Sequence, residues 1–138
     1  MTDMTAFLDA YRNAIFQKDI EGFLALFDED VRIFDMWEDW AVDGLAAWRG
    51  RVEAWFSGLG ADRDKVEFDA IEILGAGELI AVSAFVRFAA VTEQGEELRH
   101  LWNRMTLLIQ EKAGVWKIVH QHSSAPVGGE GLKAKLER

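Results

Sequence analysis

Apolar residues recur along this chain in two rhythms, and the change from one to the other near residue 60 divides it. Before that point the spacing is helical. Phe7, Leu8, Tyr11, Ala14 and Ile15 fall on one stripe of a 3.6-residue period, which predicts a first helix capped by Thr2 or Asp3. Asp19 is placed to cap a short second helix over 20–27. Its Phe23, Leu24 and Phe27 close on the same core before the acidic break Asp28-Glu29-Asp30. A strand over 31–34 and a loop over 35–43 follow. A third helix then runs from near Gly44 to about Phe56, with Leu45, Trp48, Val52, Trp55 and Phe56 on one side, and Ser57-Gly58-Leu59-Gly60 ends it.

Beyond residue 60 the pattern alternates. Val66, Phe68, Ala70 and Ile73 are apolar against polar Glu67, Asp69 and Glu72, which predicts a strand over 65–74 with a bulge near Ile71. The segment 79–92 is rich in Val, Phe and Ala without a polar stripe, as in a strand covered on both faces. Strands over 97–111 and 115–124 complete an antiparallel meander joined by short glycine-containing turns. Three helices followed by a meander fit an α+β class, with the helices packed on one face of a strongly curved, mainly antiparallel sheet. A second copy of the chain is the simplest cover for the outer face, so a homodimer through that face is expected. Residues 1–126 are read as the folded domain and 127–138 as a loosely ordered tail.

Composition narrows the function classes. Six tryptophans and nine phenylalanines in 138 residues exceed what a small closed core needs and point to a cavity wall or an interface. A net charge of −9 would repel phosphate backbones and anionic lipid, so neither a nucleic-acid nor a membrane partner is expected. The chain has no cysteine, so thiolate chemistry and cysteine-bound metal are excluded. An acidic start and the lack of a long apolar run lead to a cytoplasmic expectation. No glycine-rich phosphate loop or nucleophile elbow is present, and no cofactor is expected.

The stretch from Gly114 to Pro126, with Trp116-Lys117-Ile118-Val119-His120-Gln121-His122, resembles the closing strand of the SnoaL-like and calcium/calmodulin-dependent protein kinase II association-domain families. Asp19, the turn from Phe27 to Val31, Gly44 and Arg87 fall in the order those families share. The resemblance implies the nuclear transport factor 2-like fold: a cone-shaped half barrel with a pocket between helices and sheet, dimeric through the outer sheet face. That fold hosts isomerases, dehydratases, cyclases and plain association modules, so it leaves function open.

Strand alternation puts Trp116, Ile118, His120 and His122 on one face, expected to line the pocket, although a one-residue bulge would reverse that parity. His120 is then a candidate acid or base and His122 a ligand contact. Metal binding by this pair would need a third ligand that the spacing does not supply, and no metal is expected. Asp35, set among Phe34, Met36 and Trp37, is the candidate base for moving a proton next to a carbonyl, the chemistry ketosteroid isomerase performs on the fold that the resemblance implies. Trp37 is a candidate wall of the pocket. Arg87 and Arg104 interrupt apolar strands and are read either as a clamp for an anionic ligand or as halves of internal ion pairs. His100 and Trp102 extend the same patch by alternation. Two readings follow. One is a pocket protein for a small, partly apolar, anionic or neutral molecule, acting as a cofactor-free isomerase, dehydratase or cyclase if it is an enzyme. The other is a non-catalytic association module.

Overall fold

The computed structural model describes residues 3–138. Helix α1 spans Thr5–Phe16 and α2 spans Ile20–Leu24; strand β1 is Phe27–Phe34, β2 is Val42–Asp43, and helix α3 is Leu45–Gly58. Strands β3 (Arg63–Ala76), β4 (Leu79–Val91), β5 (Glu97–Lys112) and β6 (Val115–Ser124) follow. They form one six-stranded sheet in the order β2-β1-β6-β5-β4-β3, antiparallel except where β1 runs parallel to β6. The curled, unclosed sheet and the helices against it make the expected α+β half barrel.

The helices form where the stripes predict them, with local adjustments. Thr2 lies outside the described residues. Asp3 supports the start of α1 by accepting the Thr5 amide at 2.8 Å, although Met4 occupies the cap position. Asp19 caps α2 by accepting the Gly22 amide at 3.0 Å. Asp19→Ala should therefore lower stability by about 1 kcal/mol in urea titration, and no loss at all would mean that water replaces the cap. Phe27, expected to end α2, instead begins β1, because the Leu26 carbonyl accepts the Ile118 amide at 2.8 Å and Phe27 pairs with Ile118.

The meander follows the predicted turns. The bulge expected near Ile71 lies between Asp69 and Glu72, where Ala70 takes a φ of 52°. At the β3–β4 hairpin, Gly75 has a φ of +120° and a Cβ there would lie 2.5 Å from the Leu79 carbonyl oxygen, so only glycine fits. A second bulge lies in β6. Leu108 pairs with His120 and Ile109 with Ile118, leaving Val119 as the extra residue.

The core sits between the helices and the concave face. Tyr11, Phe23, Phe27, Val52 and Ile118 are fully or almost fully buried, and Phe23 meets Tyr11 and Phe27 edge-on at centroid distances of 5.0 Å each. Residues 127–138, read from sequence as loosely ordered, turn back on themselves and lie beside β5 past the end of β6. There the Leu136 carbonyl accepts the Trp102 amide at 2.8 Å, and Glu137 reaches His100 at 2.8 Å. Arg138 pairs with Asp69 and lies 4.2 Å from the centre of the Phe85 ring. No described helix is long and apolar enough to cross a membrane.

Candidate functional site

A cavity of about 620 Å³ opens between α1, α3 and the concave face of the sheet. One end is polar. Ile33 is buried in the core and Phe34 turns outward, so Asp35, the next residue, points in. The Asp35 Oδ1 atom accepts the Met36 amide at 3.0 Å and the Ser123 hydroxyl at 3.2 Å, while Oδ2 lies 3.7 Å from the Arg51 guanidinium. Burial pushes the Asp35 carboxyl above the ordinary carboxylate range, outweighing these hydrogen bonds and Arg51. Beside it the buried Tyr11 hydroxyl donates to Gln121 Oε1 at 2.8 Å, and burial, reinforced by Asp35, raises its pKa.

Arg51 also holds the mouth. It donates to Asp39 Oδ2 at 2.8 Å and to the Trp37 carbonyl at 3.0 Å, fixing a tight turn in which Glu38 takes a φ of 66°. Trp37 lies in the wall at this rim, half exposed. Toward the other end Asp64, 9% exposed, accepts the Trp55 indole N–H at 3.1 Å. Burial raises the pKa of Asp64, against the lowering pull of Trp55 and Arg99. Trp48, Phe88, Leu101 and Met105 supply apolar wall between the two ends.

The structure divides the residues singled out from sequence into two groups. Asp35 and Trp37 line the cavity, and His100 reaches its rim, held by Glu137 and Glu97. Arg87, Trp102, Arg104, His120 and His122 do not line it. The expectation that His120 and His122 face the pocket is corrected by the Val119 bulge, which reverses the parity after Ile118 and turns Gln121 and Ser123 inward. His120 instead lies with its Nδ1 2.7 Å from the Arg32 carbonyl, and both imidazoles meet the Phe34 ring edge-on. Arg87 makes a two-pronged pair with Glu97 at 2.8 and 2.9 Å. Arg104 bonds Ser124 and borders, with His122, a groove of about 440 Å³ on the outer face. Among the described residues no group of three or more His, Asp or Glu side chains converges as a metal site.

Sequence reasoning missed Arg51, Asp64, Tyr11, Gln121 and Ser123 as site residues. Two of them carried a signal. Asp64 shares strand parity with Val66 and Phe68, a polar residue on an inward face, and Arg51 lies on the α3 stripe three residues after Trp48.

The SnoaL-like domain model matches residues 4–128. The chain belongs to the SnoaL-like domain family. No curated protein matches this SnoaL-like chain in sequence. Among solved structures it is similar to a nuclear transport factor 2-like protein of unknown function from Pseudomonas putida KT2440, at 22% identity and a TM-score of 0.85 over 98% of this chain and 92% of that one. A calcium/calmodulin-dependent protein kinase II association-domain-like protein of Xanthomonas campestris shares 15% identity and a TM-score of 0.76 over 89% and 85%. A nuclear transport factor 2-like superfamily protein of Salmonella enterica serovar Typhimurium shares 21% identity and a TM-score of 0.71 over 93% and 94%. At these identities the likeness establishes the SnoaL-like domain's fold alone.

Proposed function

We propose that the cavity binds a small, partly apolar organic carbonyl compound and that Asp35 moves a proton on the carbon next to its carbonyl. One observation carries this reading. Asp35 is a partly buried carboxylate whose Oδ1 is anchored by Ser123 and the Met36 amide, which leaves Oδ2 toward the cavity beside a guanidinium. A carboxylate with a raised pKa is a stronger base once ionised. Asp35 Oδ2 takes the α-proton, the C–H pair moves into the enolate, and Arg51 stabilises the oxyanion that develops. Returning the proton to the same carbon gives exchange, and returning it to a conjugated carbon gives isomerisation.

The direct test is deuterium exchange at the α carbons of 4-phenylcyclohexanone in D₂O, followed by proton NMR. The protein should accelerate exchange above the buffer rate, and a rate equal to buffer would overturn the proton-transfer reading. The association-module reading predicts an occluded core, whereas this chain keeps a cavity of about 620 Å³. The outer face carries Phe85 and Leu79 partly exposed, which supports pairing of two copies there in addition to ligand binding. Sedimentation velocity should then give a dimer, and a monomer at micromolar concentration would rule that pairing out.

A further inference from the structure

The polar groups at the far end of the cavity have no part in the proton transfer proposed for Asp35. Asp64 is nine-tenths buried at the start of β3 and lines the cavity. Its Oδ2 is taken by Trp55 Nε1 at 3.1 Å, and among the described residues its Oδ1 has no hydrogen-bond partner. A carboxylate oxygen in the cavity wall that no protein donor reaches is a place where a ligand donor is favoured. The residue opposite it is a cation. In the sheet register Asp64 pairs with Ala90 and Ala90 with Arg99, so Arg99 lies two strands away, and all three line the cavity. Arg51 is engaged by Asp39 and the Trp37 carbonyl, and His100 by glutamates. Among the described residues Arg99 has no ion-pair partner, and it acts on Asp64 through its charge.

A carboxylate oxygen and a guanidinium two strands apart in one cavity wall offer one acceptor and one donor. A hydroxyl group satisfies both, by donating to Asp64 and accepting from Arg99. A carboxylate at this end would meet Asp64, and the net charge of −9 also disfavours an anion. The strand order separates the two ends. Asp35 follows β1 and Asp64 opens β3, with β6, β5 and β4 between them. That is four strand spacings, roughly 19 Å along the sheet surface and less across the curl. Met105, Leu101 and Phe88 give the intervening wall its apolar character.

We infer that Asp64 and Arg99 form a second polar subsite for a hydroxyl group, so that the cavity takes an elongated neutral hydroxyketone, carbonyl at Asp35 and hydroxyl at Asp64. This inference rests on the proposed function, since it uses Asp35 as the carbonyl end.

Calorimetric titration with 4-(4-hydroxyphenyl)cyclohexanone and with 4-phenylcyclohexanone tests it, because the two ketones differ only by the distal hydroxyl. The wild-type protein should bind the hydroxylated ketone about tenfold more tightly, the value of one well-made hydrogen-bonded contact. In Asp64→Leu and in Arg99→Ala that ratio should fall to about one. Arg99 is exposed, so its variant keeps the test decisive if Asp64→Leu fails to fold. Equal wild-type affinity for both ketones, or a preference that survives Arg99→Ala, overturns the hydroxyl subsite while leaving the carbonyl site at Asp35 in place. Binding of neither ketone overturns the carbonyl-pocket reading, and this inference with it.

Discussion

Asp35→Asn is expected to abolish protein-accelerated α-proton exchange and, in the same molecule, to raise the melting temperature at neutral pH. The activity loss should be about 10²–10⁴-fold, the usual contribution of a positioned general base. The stability gain follows from the direction of the pKa. Burial raises the Asp35 carboxyl in the folded state, so between the unfolded value, near 3.9, and the raised value the folded chain holds more protons than the unfolded one. Wild-type stability therefore falls as pH rises through that window, and above it the ionised carboxylate is a net cost. Asparagine keeps an oxygen for the Met36 amide and the Ser123 hydroxyl, and Arg51 retains Asp39 and the Trp37 carbonyl. The gain should disappear below about pH 4, where aspartate is protonated in both states. A melting temperature that drops at pH 7 would show that the Arg51 interaction outweighs burial.

Phe23→Ala is expected to be the most damaging single truncation of the core, at about 3–5 kcal/mol in chemical denaturation. The ring is fully buried and stands at the centre of an aromatic cluster with Tyr11, Phe27, Trp55 and Phe56, at centroid distances of 5.0 to 6.1 Å. For a domain of typical stability, about 5–15 kcal/mol, that is a large share of the total. Two of these neighbours also serve the cavity: Tyr11 orders Gln121 and Trp55 holds Asp64. Weaker ketone binding should therefore accompany the lost stability. A loss below about 1.5 kcal/mol would mean that neighbouring rings collapse into the space.

The fold was more legible in the sequence than the site, for physical reasons that individual residues illustrate. Each helix and strand is specified by many positions acting together, so the stripe of Leu8, Tyr11 and Ile15 or the alternation of Val66 and Phe68 survives local irregularity. The errors lay at an element end such as Phe27, where one long-range hydrogen bond to Ile118 decides between helix and strand, in the two-residue β2 inside the expected 35–43 loop, and in the tail that packs beside β5. Asp35 was readable because it stands at a strand end among aromatics. His120 and His122 were misplaced because the face of a strand residue depends on every residue between it and the last anchored position. Ile118 was assigned correctly to the interior, but Val119 adds a residue without any marking side chain or glycine. Arg87 was read as interior for a related reason: an arginine in an apolar run looks buried until Glu97 is seen beside it in the folded sheet.

The extra residue in β6 leaves this strand with two chemically different faces. One face past the bulge carries an amide and a hydroxyl, Gln121 and Ser123, and the other carries two imidazoles. Loss of the single codon for Val119 would remove the bulge and leave His120 opposite Leu108 and Gln121 opposite Leu107, so the amide and hydroxyl would keep their place in the cavity. The faces exchange only when the strand keeps Val119 and loses the bulge, for Val119 would then oppose Leu108 and His120 would oppose Leu107, a one-residue slip in register.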